Sequence, residues 1–360
     1  YSCKKPYDPP VAETTNSELV VEGTIATGTN TENRFLLSRL RPLQDTSIND
    51  PEQGAKISIE SQSGQKWALT EQQKGTYTAT LSLPQNATYK LSVITQGGRQ
   101  YETGFLAVTS TPPVDSLTWT QPDDLEIYIH THDPSNSTKY YRWEFTETWE
   151  YHSFYDSNLG YENGKIVFRD PADQTFACWS SASSGSIIIN NTTALSEDRI
   201  SFQPIQKLSR PSEKASYKYS ILVRQYGLPE DAYKFWNILR KNTELTGTLF
   251  DPQPSQLPGN ISCLNDPAEK VIGFVSAGIV SEKRIFIRNS ELLNWQTVSD
   301  SSCLEIVPPS IPAALGLLSA DTTLAPAYYK MPPDRVALAK KPCIDCRRKG
   351  GTTTKPPYWQ

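Results

Sequence analysis

Short segments rich in Val, Ile, Thr and Tyr, each ended by a turn, constrain the fold of this chain more than any other feature. They follow one another between residues 18 and 108 and are separated by Gly, Pro and Asn. They read, in order, ELVVEGTI, RFLLSRL, AKISIES, QKWALTE, GTYTATLSL, TYKLSVIT and YETGFLAV. Strands of this length and spacing are typical of a β-sandwich. We therefore predict an immunoglobulin- or transthyretin-like β-sandwich over residues 18–110.

The rest of the chain, residues 116–360, is predicted to form a larger β-rich domain with one or two helices, which makes the protein mainly β. The segment TSTPPVDS (109–116) is predicted to be the linker, because its prolines stiffen the chain and lack an amide hydrogen. Residues 124–151 are predicted to form two strands joined as a hairpin, with the turn at Asp133-Pro-Ser-Asn.

One segment of this second domain has clear helical spacing. LPEDAYKFWNILRKN (228–242) places apolar residues three and four apart and acidic residues in its first turn. It is predicted to be a helix that covers the core. The proline-rich residues after 310 are predicted to be irregular chain that wraps the body.

Charge and hydropathy argue against two classes of protein. The formal net charge is −4, and the only dense basic run is Arg347-Arg348-Lys349, whereas nucleic-acid binding needs clustered cations along one face. The longest apolar run, IVPPSIPAALGLLSA (306–320), is interrupted by prolines and is too short to span a bilayer. No nucleic-acid partner and no membrane span are expected.

The first of six cysteines lies near the start of the sequence, in YSCKKPYDPP. Ser2-Cys3 matches the end of a bacterial lipoprotein signal, and residues 1–17 have no apolar periodicity, as in a flexible tether. A lipid on Cys3 would hold the protein at a membrane; the alternative is a disulfide of Cys3. A single methionine in the chain favours removal of the initiator and a leader segment.

Disulfides among the other five cysteines are predicted to pin the C-terminal tail, with at least one of the five unpaired or partnered elsewhere. Cys343-Ile-Asp-Cys346 lies in a tail rich in Lys, Arg and Gly, which does not suit a redox pair at the start of a helix. A zinc site would need a second close pair, which the sequence lacks. We expect Cys303 to pair with Cys343 or Cys346, and the connectivity stays open.

Candidate contact residues lie in YYRWEFTETWEY (140–151). Trp143, Glu147 and Trp149 share one face of the predicted strand. A carboxylate among aromatic rings either has a buried base as its partner or lies at a groove. We predict these three side chains as ligand or partner contacts. An exposed pair among Trp143, Trp149 and Trp179 would favour binding of a glycan or peptide.

The sequence offers little for catalysis or metal binding. His130 and His132 could share a face, but no third ligand is identifiable, so neither a metal site nor a cofactor is predicted. Motifs for nucleophilic or phosphate chemistry are absent from the sequence. An enzyme would need His132, Asp133 and Glu147 to converge in one cleft. We predict that the protein is not an enzyme.

Several segments together carry a resemblance to a known family. They are VVEGTI, GTYTATL, PPVDSLTW, YYRWEFTETWEY, LFDPQPSQLPGNISC and CIDCRRKGGTTTKPPYW. From Cys3 to Trp359 the chain resembles the Bacteroidota outer-membrane lipoprotein family named domain of unknown function 4249. This resemblance implies a lipid on Cys3, residence at the outer membrane and association with TonB-dependent transporters. It supplies no catalytic residue.

The leading functional hypothesis is therefore a non-enzymatic lipoprotein that is an accessory subunit of an outer-membrane β-barrel of the TonB-dependent type. The alternative is a surface lipoprotein that binds a glycan or peptide directly. We expect the protein on the cell surface. Lys4 and Lys5 stand where acidic residues often signal surface export in these bacteria, so the periplasmic face stays open as an alternative.

Overall fold

The computed structural model describes residues 18–40, 50–244, 259–297, 302–331 and 335–359. Within these residues the chain is mainly β with two α-helices, which confirms the predicted fold class. The helices are α1 (Glu230–Glu244) and α2 (Ile311–Ala320). The strands are β1 (Leu19–Arg39), β2 (Asp50–Pro51), β3 (Lys56–Ser61), β4 (Lys66–Gln73), β5 (Thr76–Leu83), β6 (Thr88–Ile94), β7 (Gln100–Thr103), β8 (Leu106–Thr109), β9 (Val114–Thr120), β10 (Leu125–His132), β11 (Tyr140–His152), β12 (Leu159–Glu162), β13 (Lys165–Phe168), β14 (Ala177–Ser183), β15 (Ile188–Asn191), β16 (Arg199–Leu208), β17 (Lys218–Leu228), β18 (Ile261–Cys263), β19 (Val271–Ile272), β20 (Ser276–Arg288), β21 (Leu324–Lys330) and β22 (Arg335–Lys340).

One hydrogen-bonded sheet connects the two halves of the molecule. Its strand order is β14-β11-β17-β20-β1-β5-β4-β3-β6-β7-β18. β1 makes this connection because it folds back on itself: the Leu40 amide donates to the Glu18 carbonyl over 3.0 Å, and the Ala26 amide donates to Asn33 Oδ1 over 2.9 Å. Its first half pairs with β20 and its second half with β5.

The first core is a β-sandwich that a distant segment completes. Ile261 in β18 pairs with Thr103 in β7, and Val271 in β19 pairs with Leu19 in β1. The side chains of Ile261 and Val271 are buried in the same cluster as those of β1, β3, β5 and β6. Residues 261–277 therefore belong to the first core, although the sequence interpretation counted them with the second domain.

The second core lies between two sheets. The small sheet has the order β16-β10-β9 and faces the end of the large sheet formed by β11, β17 and β20. Ile127 and Ile129 from β10 are buried together with Trp143, Tyr219 and other residues of the large sheet. Each sheet turns one apolar face inward and buries it against the other.

The predicted hairpin between β10 and β11 is wrong. β10 pairs with β9 and β16, while β11 pairs with β14, β15 and β17. The connection crosses from one sheet to the other because both strands bury an apolar face. Asp133 fixes it, since its carboxylate accepts hydrogen bonds from the amides of Ser135, Ser137 and Thr138. Burial opposes ionisation, yet these donors hold the pKa of Asp133 well below its usual range.

Helix α1 confirms the helix predicted over 228–242, shifted by two residues. Ala232 and Phe235 are buried, and Ala232 packs with Tyr226 and Leu228 of β17. Arg142 of β11 lies beneath this helix with its guanidinium 4.2 Å from the ring centroid of Trp236. The helix therefore covers the outer face of the large sheet at one end.

The prediction of an irregular chain after 310 is wrong. Helix α2 and the β21–β22 hairpin form there and pack with β12 and β13 as a C-terminal lobe. Ser310 caps the helix by accepting a hydrogen bond from the Ala313 amide, and Pro312 occupies its first turn, where the missing amide hydrogen costs nothing. Neither helix among the described residues is long and apolar enough to cross a bilayer.

The linker meets β17 at Gly227. The Gly227 amide donates to Thr111 Oγ1 over 2.8 Å, and a Cβ at position 227 would lie 2.3 Å from the Ser110 carbonyl oxygen. Gly227→Ala is expected to lower the free energy of unfolding by about 2 kcal/mol, because backbone must move to admit the methyl group. Urea unfolding measures this. Gly185→Ala, whose Cβ would meet no atom within 4 Å, is the control; equal midpoints for the two variants would contradict the prediction.

Candidate functional site

The residues predicted as contacts lie mainly in the second core. Trp143 is 1% exposed, and its indole Nε1 donates to Gln225 Oε1 over 2.8 Å. Glu147 is 3% exposed, and Trp149 is half-buried beneath the ammonium group of Lys214. The contact role assigned to Trp143 and Glu147 therefore needs correction: both side chains face the opposite sheet, because odd-numbered residues of β11 point inward.

Glu147 is the centre of a buried polar cluster. Its carboxylate accepts hydrogen bonds from the Tyr219 hydroxyl over 2.9 Å and from Gln206 Nε2 over 3.1 Å, and it forms an ion pair with Lys214. Burial, and then the adjacent carboxylate, raises the pKa of Tyr219, so this hydroxyl stays a donor. The sequence left open whether Glu147 has a basic partner or lies at a groove. In the structure it has a basic partner, Lys214.

The three histidines do not meet. His130 Nε2 lies 2.8 Å from Thr118 Oγ1, and His132 Nδ1 lies 2.7 Å from Asp115. His152 bonds Glu150 and stacks against Tyr217, on the other sheet. No group of three His, Cys, Asp or Glu that could hold a metal occurs in the part of the chain that the structure describes.

The residues named for a catalytic alternative are also separate. His132 pairs with Asp115, Asp133 caps its own loop, and Glu147 pairs with Lys214. None of the three donates to or accepts from another. This arrangement gives no nucleophile with an adjacent base.

Two disulfides stabilise the C-terminal lobe: one closes the lobe on itself, and the other fixes it to the large sheet. Cys303 pairs with Cys343, one of the two partners left open, whereas Cys346 pairs with Cys178 of β14. Cys263 is buried and unpaired, and Cys3 lies outside the described residues. The two cysteines of the Cys-x-x-Cys segment therefore form disulfides with two different, distant parts of the chain.

Hydrogen bonds strengthen this attachment. The Tyr155 hydroxyl donates to the Cys303 carbonyl, the Tyr151 hydroxyl donates to the Cys346 carbonyl, and Thr175 Oγ1 donates to the Ile344 carbonyl. Each bond joins the lobe or its disulfide segment to the chain around β11 and β14. The lobe is therefore held in one position relative to the large sheet.

The final residues cover part of the outer face of the large sheet. Trp359 is buried, its Nε1 donates to Glu150 Oε2 over 3.2 Å, and the ammonium group of Lys218 lies 5.4 Å from its ring. Arg284 lies 3.8 Å from the ring centroid of Tyr358. The predicted wrapping of the body by the tail thus applies to these last residues.

The lobe exposes a group of apolar side chains, which we call the apolar tip: Phe168, Tyr329 and Met331. Phe168 ends β13 and is 70% exposed, while Met331 directly follows β21 and is 77% exposed. The rings of Phe168 and Tyr329 lie 6.0 Å apart between centroids. Buried residues of α2, β12, β21 and β22 form the core of the lobe that carries the tip.

Polar contacts on the neighbouring strand residues hold the tip in place. The Tyr328 hydroxyl donates to Glu305, and this bond raises the pKa of Tyr328 to about 12. Lys330 pairs with the same carboxylate, and both contacts hold the pKa of Glu305 below its usual value. These contacts fix β21 on either side of Tyr329.

The sequence contains a local signal for the hairpin that carries Phe168. Asn163-Gly164 joins β12 and β13, and both residues have positive φ, as a two-residue hairpin turn requires. The sequence YENGKIVF therefore predicts a hairpin that ends at Phe168. Which of its side chains stay exposed depends on the packing of α2 and cannot be predicted from that turn.

With two packed β cores and a disulfide-pinned lobe, the protein belongs to the class of mainly β proteins. A family model described as Domain of unknown function (DUF4249) matches residues 4–284. The match covers most of the chain, and the protein is a member of this family. The part of the lobe formed by α2, β21 and β22 lies after the matched residues.

Other comparisons add little. No curated protein matches the chain. A chitinase from Bacillus thuringiensis is similar at 12% identity and a TM-score of 0.16, over 51% of this chain and 30% of that one. A protein described as membrane-anchored, from Corynebacterium diphtheriae, is similar at 8% identity and a TM-score of 0.17, over 58% of this chain and 54% of that one. The chain spans less than two thirds of both structures, and no functional conclusion follows from similarity at this level.

Proposed function

We propose that the protein is a non-enzymatic lipoprotein that is an accessory subunit of an outer-membrane β-barrel complex of the TonB-dependent transporter type. A lipid on Cys3 anchors it to the outer membrane on the cell-surface side, and the globular body docks against the barrel. The Ser2-Cys3 sequence and the resemblance to Bacteroidota lipoproteins support the anchor. The match of the family model supports the family part of that resemblance.

The observation that carries the docking proposal is the apolar tip. Phe168 and Met331 are among the most exposed large apolar side chains of the described residues. Exposed apolar groups that lie together can mark protein interaction sites, and aromatic residues and Met are enriched at protein interfaces. Because two disulfides hold the lobe, docking at the tip would not require the lobe to become ordered first.

The test compares a tip variant with a matched control. The protein carries a C-terminal tag after a flexible linker and is purified from native outer membranes in mild detergent. In the variant Phe168→Ser/Met331→Ser, recovery of the barrel is expected to fall about tenfold, because central interface residues contribute more than 1 kcal/mol each. Leu293→Ser is the control, because Leu293 is 75% exposed and lies outside the lobe.

The wild-type protein and the control are expected to bring down a β-barrel protein in equal amount. If wild type brings down no barrel, the accessory function is wrong. If the barrel is recovered equally with the tip variant, the tip is not the contact surface.

A further inference from the structure

The outer face of the small sheet β16-β10-β9 carries three aromatic rings, which we call the aromatic face: Tyr128, His130 and Phe202. Even-numbered residues of β10 point to this face, while Ile127 and Ile129 point into the core. The Phe202 ring lies 4.6 Å from the ring of His130 and 6.0 Å from that of Tyr128, both in edge-to-face geometry. The apolar tip belongs to a different part of the molecule.

Phe202 is held outward by an unusual backbone. The register between β10 and β16 shifts between Ile129 and Thr131, so that β16 has one extra residue at this point. Phe202 lies in this bulge with a φ of +55°, and its side chain is 64% exposed. Bulky residues rarely adopt this conformation, and it costs about 1 kcal/mol or more. A strained backbone that presents an aromatic ring to solvent points to a binding function for that ring.

Polar groups surround the rings, and their charges are already paired. Lys207 lies 2.9 Å from Glu126 and 3.3 Å from Asp124, and His132 pairs with Asp115 at 2.7 Å. Arg199 of β16 lies 3.6 Å from Glu197, so each cationic side chain of β9, β10 and β16 has a carboxylate partner and none of these strands offers a free cation to a phosphate or a uronic acid. At the rim, the Thr118 hydroxyl bonds His130 Nε2 over 2.8 Å and the Phe202 amide donates to His130 Nδ1 over 3.4 Å, so the imidazole is held in place. The Thr118 hydroxyl and the Glu126 carboxylate keep further lone pairs that can accept hydrogen bonds from a ligand.

We propose that the aromatic face binds a neutral oligosaccharide. A sugar ring has an apolar face of C–H groups and a rim of hydroxyls. The rings of Phe202 and Tyr128 can pack against the C–H face of the sugar, and the polar groups around them can form hydrogen bonds with its hydroxyls. A peptide would instead be bound by strand addition at a sheet edge or by side-chain pockets, whereas these rings lie across the face of a sheet. The binding does not depend on docking of the apolar tip.

The test uses the full chain with Cys3→Ser, so that no lipid is attached. Neutral hexasaccharides of glucose, mannose and xylose are titrated by calorimetry, together with a polyuronate and a peptide library. At least one neutral hexasaccharide is expected to bind. Phe202→Gly removes the ring and suits the positive φ, so it is expected to weaken binding roughly tenfold or more without lowering the unfolding midpoint.

Phe105→Gly is the control, since Phe105 is an exposed phenylalanine of the first sandwich and should leave sugar binding unchanged. The proposal is overturned if no neutral hexasaccharide binds, if Phe202→Gly binds as wild type does, or if only the polyuronate or a peptide binds. Because the tip variant Phe168→Ser/Met331→Ser should retain sugar binding, failure of this proposal and failure of the barrel-docking proposal are distinguishable.

Discussion

Replacing Cys178 and Cys346 together by alanine is expected to lower the free energy of unfolding by about 5 kcal/mol. This disulfide joins residues 168 apart in sequence, and a cross-link over so long a loop removes much of the conformational entropy of the unfolded chain. It also ties β14 of the large sheet to the segment that follows β22. Denaturant unfolding of the oxidised protein under non-reducing conditions measures the loss.

The second disulfide and the unpaired cysteine provide the controls. Cys303 and Cys343 are 40 residues apart, so their joint replacement is expected to cost about 4 kcal/mol. Cys263→Ala removes a buried thiol but no cross-link, and about 1 kcal/mol is expected. If the Cys178/Cys346 variant unfolds at the same denaturant concentration as Cys263→Ala, the account of the pinned lobe is contradicted.

Lys214→Met is expected to lower the free energy of unfolding by about 3 kcal/mol at neutral pH. The substitution leaves the buried Glu147 carboxylate without its cation, with only the neutral donors Tyr219 and Gln206. Removal of one partner of a buried ion pair is costly because the remaining charge is desolvated. Urea unfolding at constant pH measures this loss.

A second substitution tests whether the uncompensated charge is the cause. Glu147→Gln in the Lys214→Met background removes the charge and keeps a hydrogen-bonding side chain, so the double variant is expected to be more stable than Lys214→Met alone. Lys207→Met, which breaks exposed pairs with Glu126 and Asp124, is the control and is expected to cause no measurable loss. Equal losses for Lys214→Met and the double variant would show that the methionine itself disturbs the core.

Local patterns in the sequence were sufficient for the first sandwich and for α1. The strands from β3 to β6 pair with near neighbours in sequence, and α1 has apolar residues at helical spacing. The contribution of β18 and β19 to the first core was not predictable, because these strands pair with partners more than 150 residues earlier. Short-range patterns do not specify such long-range pairing.

Two predictions for the second half of the chain were wrong: the irregular chain after residue 310 and the hairpin between β10 and β11. Prolines explain the first error, and strand pairing explains the second. Pro308, Pro309 and Pro312 read as breakers, yet only Pro312 lies in α2, where the first turn accepts it. The polar turn at Asp133 is typical of a hairpin, but the same turn also connects strands of opposing sheets. Only the burial of Ile127 against Trp143 decides between the two.

The candidate surfaces were harder to predict than the elements that carry them. Trp143 and Glu147 were identified as sharing one face, but the sequence does not tell whether that face meets solvent or a second sheet. The exposure of Phe202 arises from a bulge with positive φ, for which the sequence RISFQPI gives no signal. Exposed aromatic residues of this kind are found only once the register of the strands is known.

The most direct test of the proposed function is photo-crosslinking in intact cells, with benzoylphenylalanine at position 168 of the full chain. We expect a cross-linked product with an outer-membrane β-barrel protein from position 168, and none from the control position 293. A protein that cross-links to no barrel from position 168, while it is present at wild-type level at the outer membrane, would contradict the account.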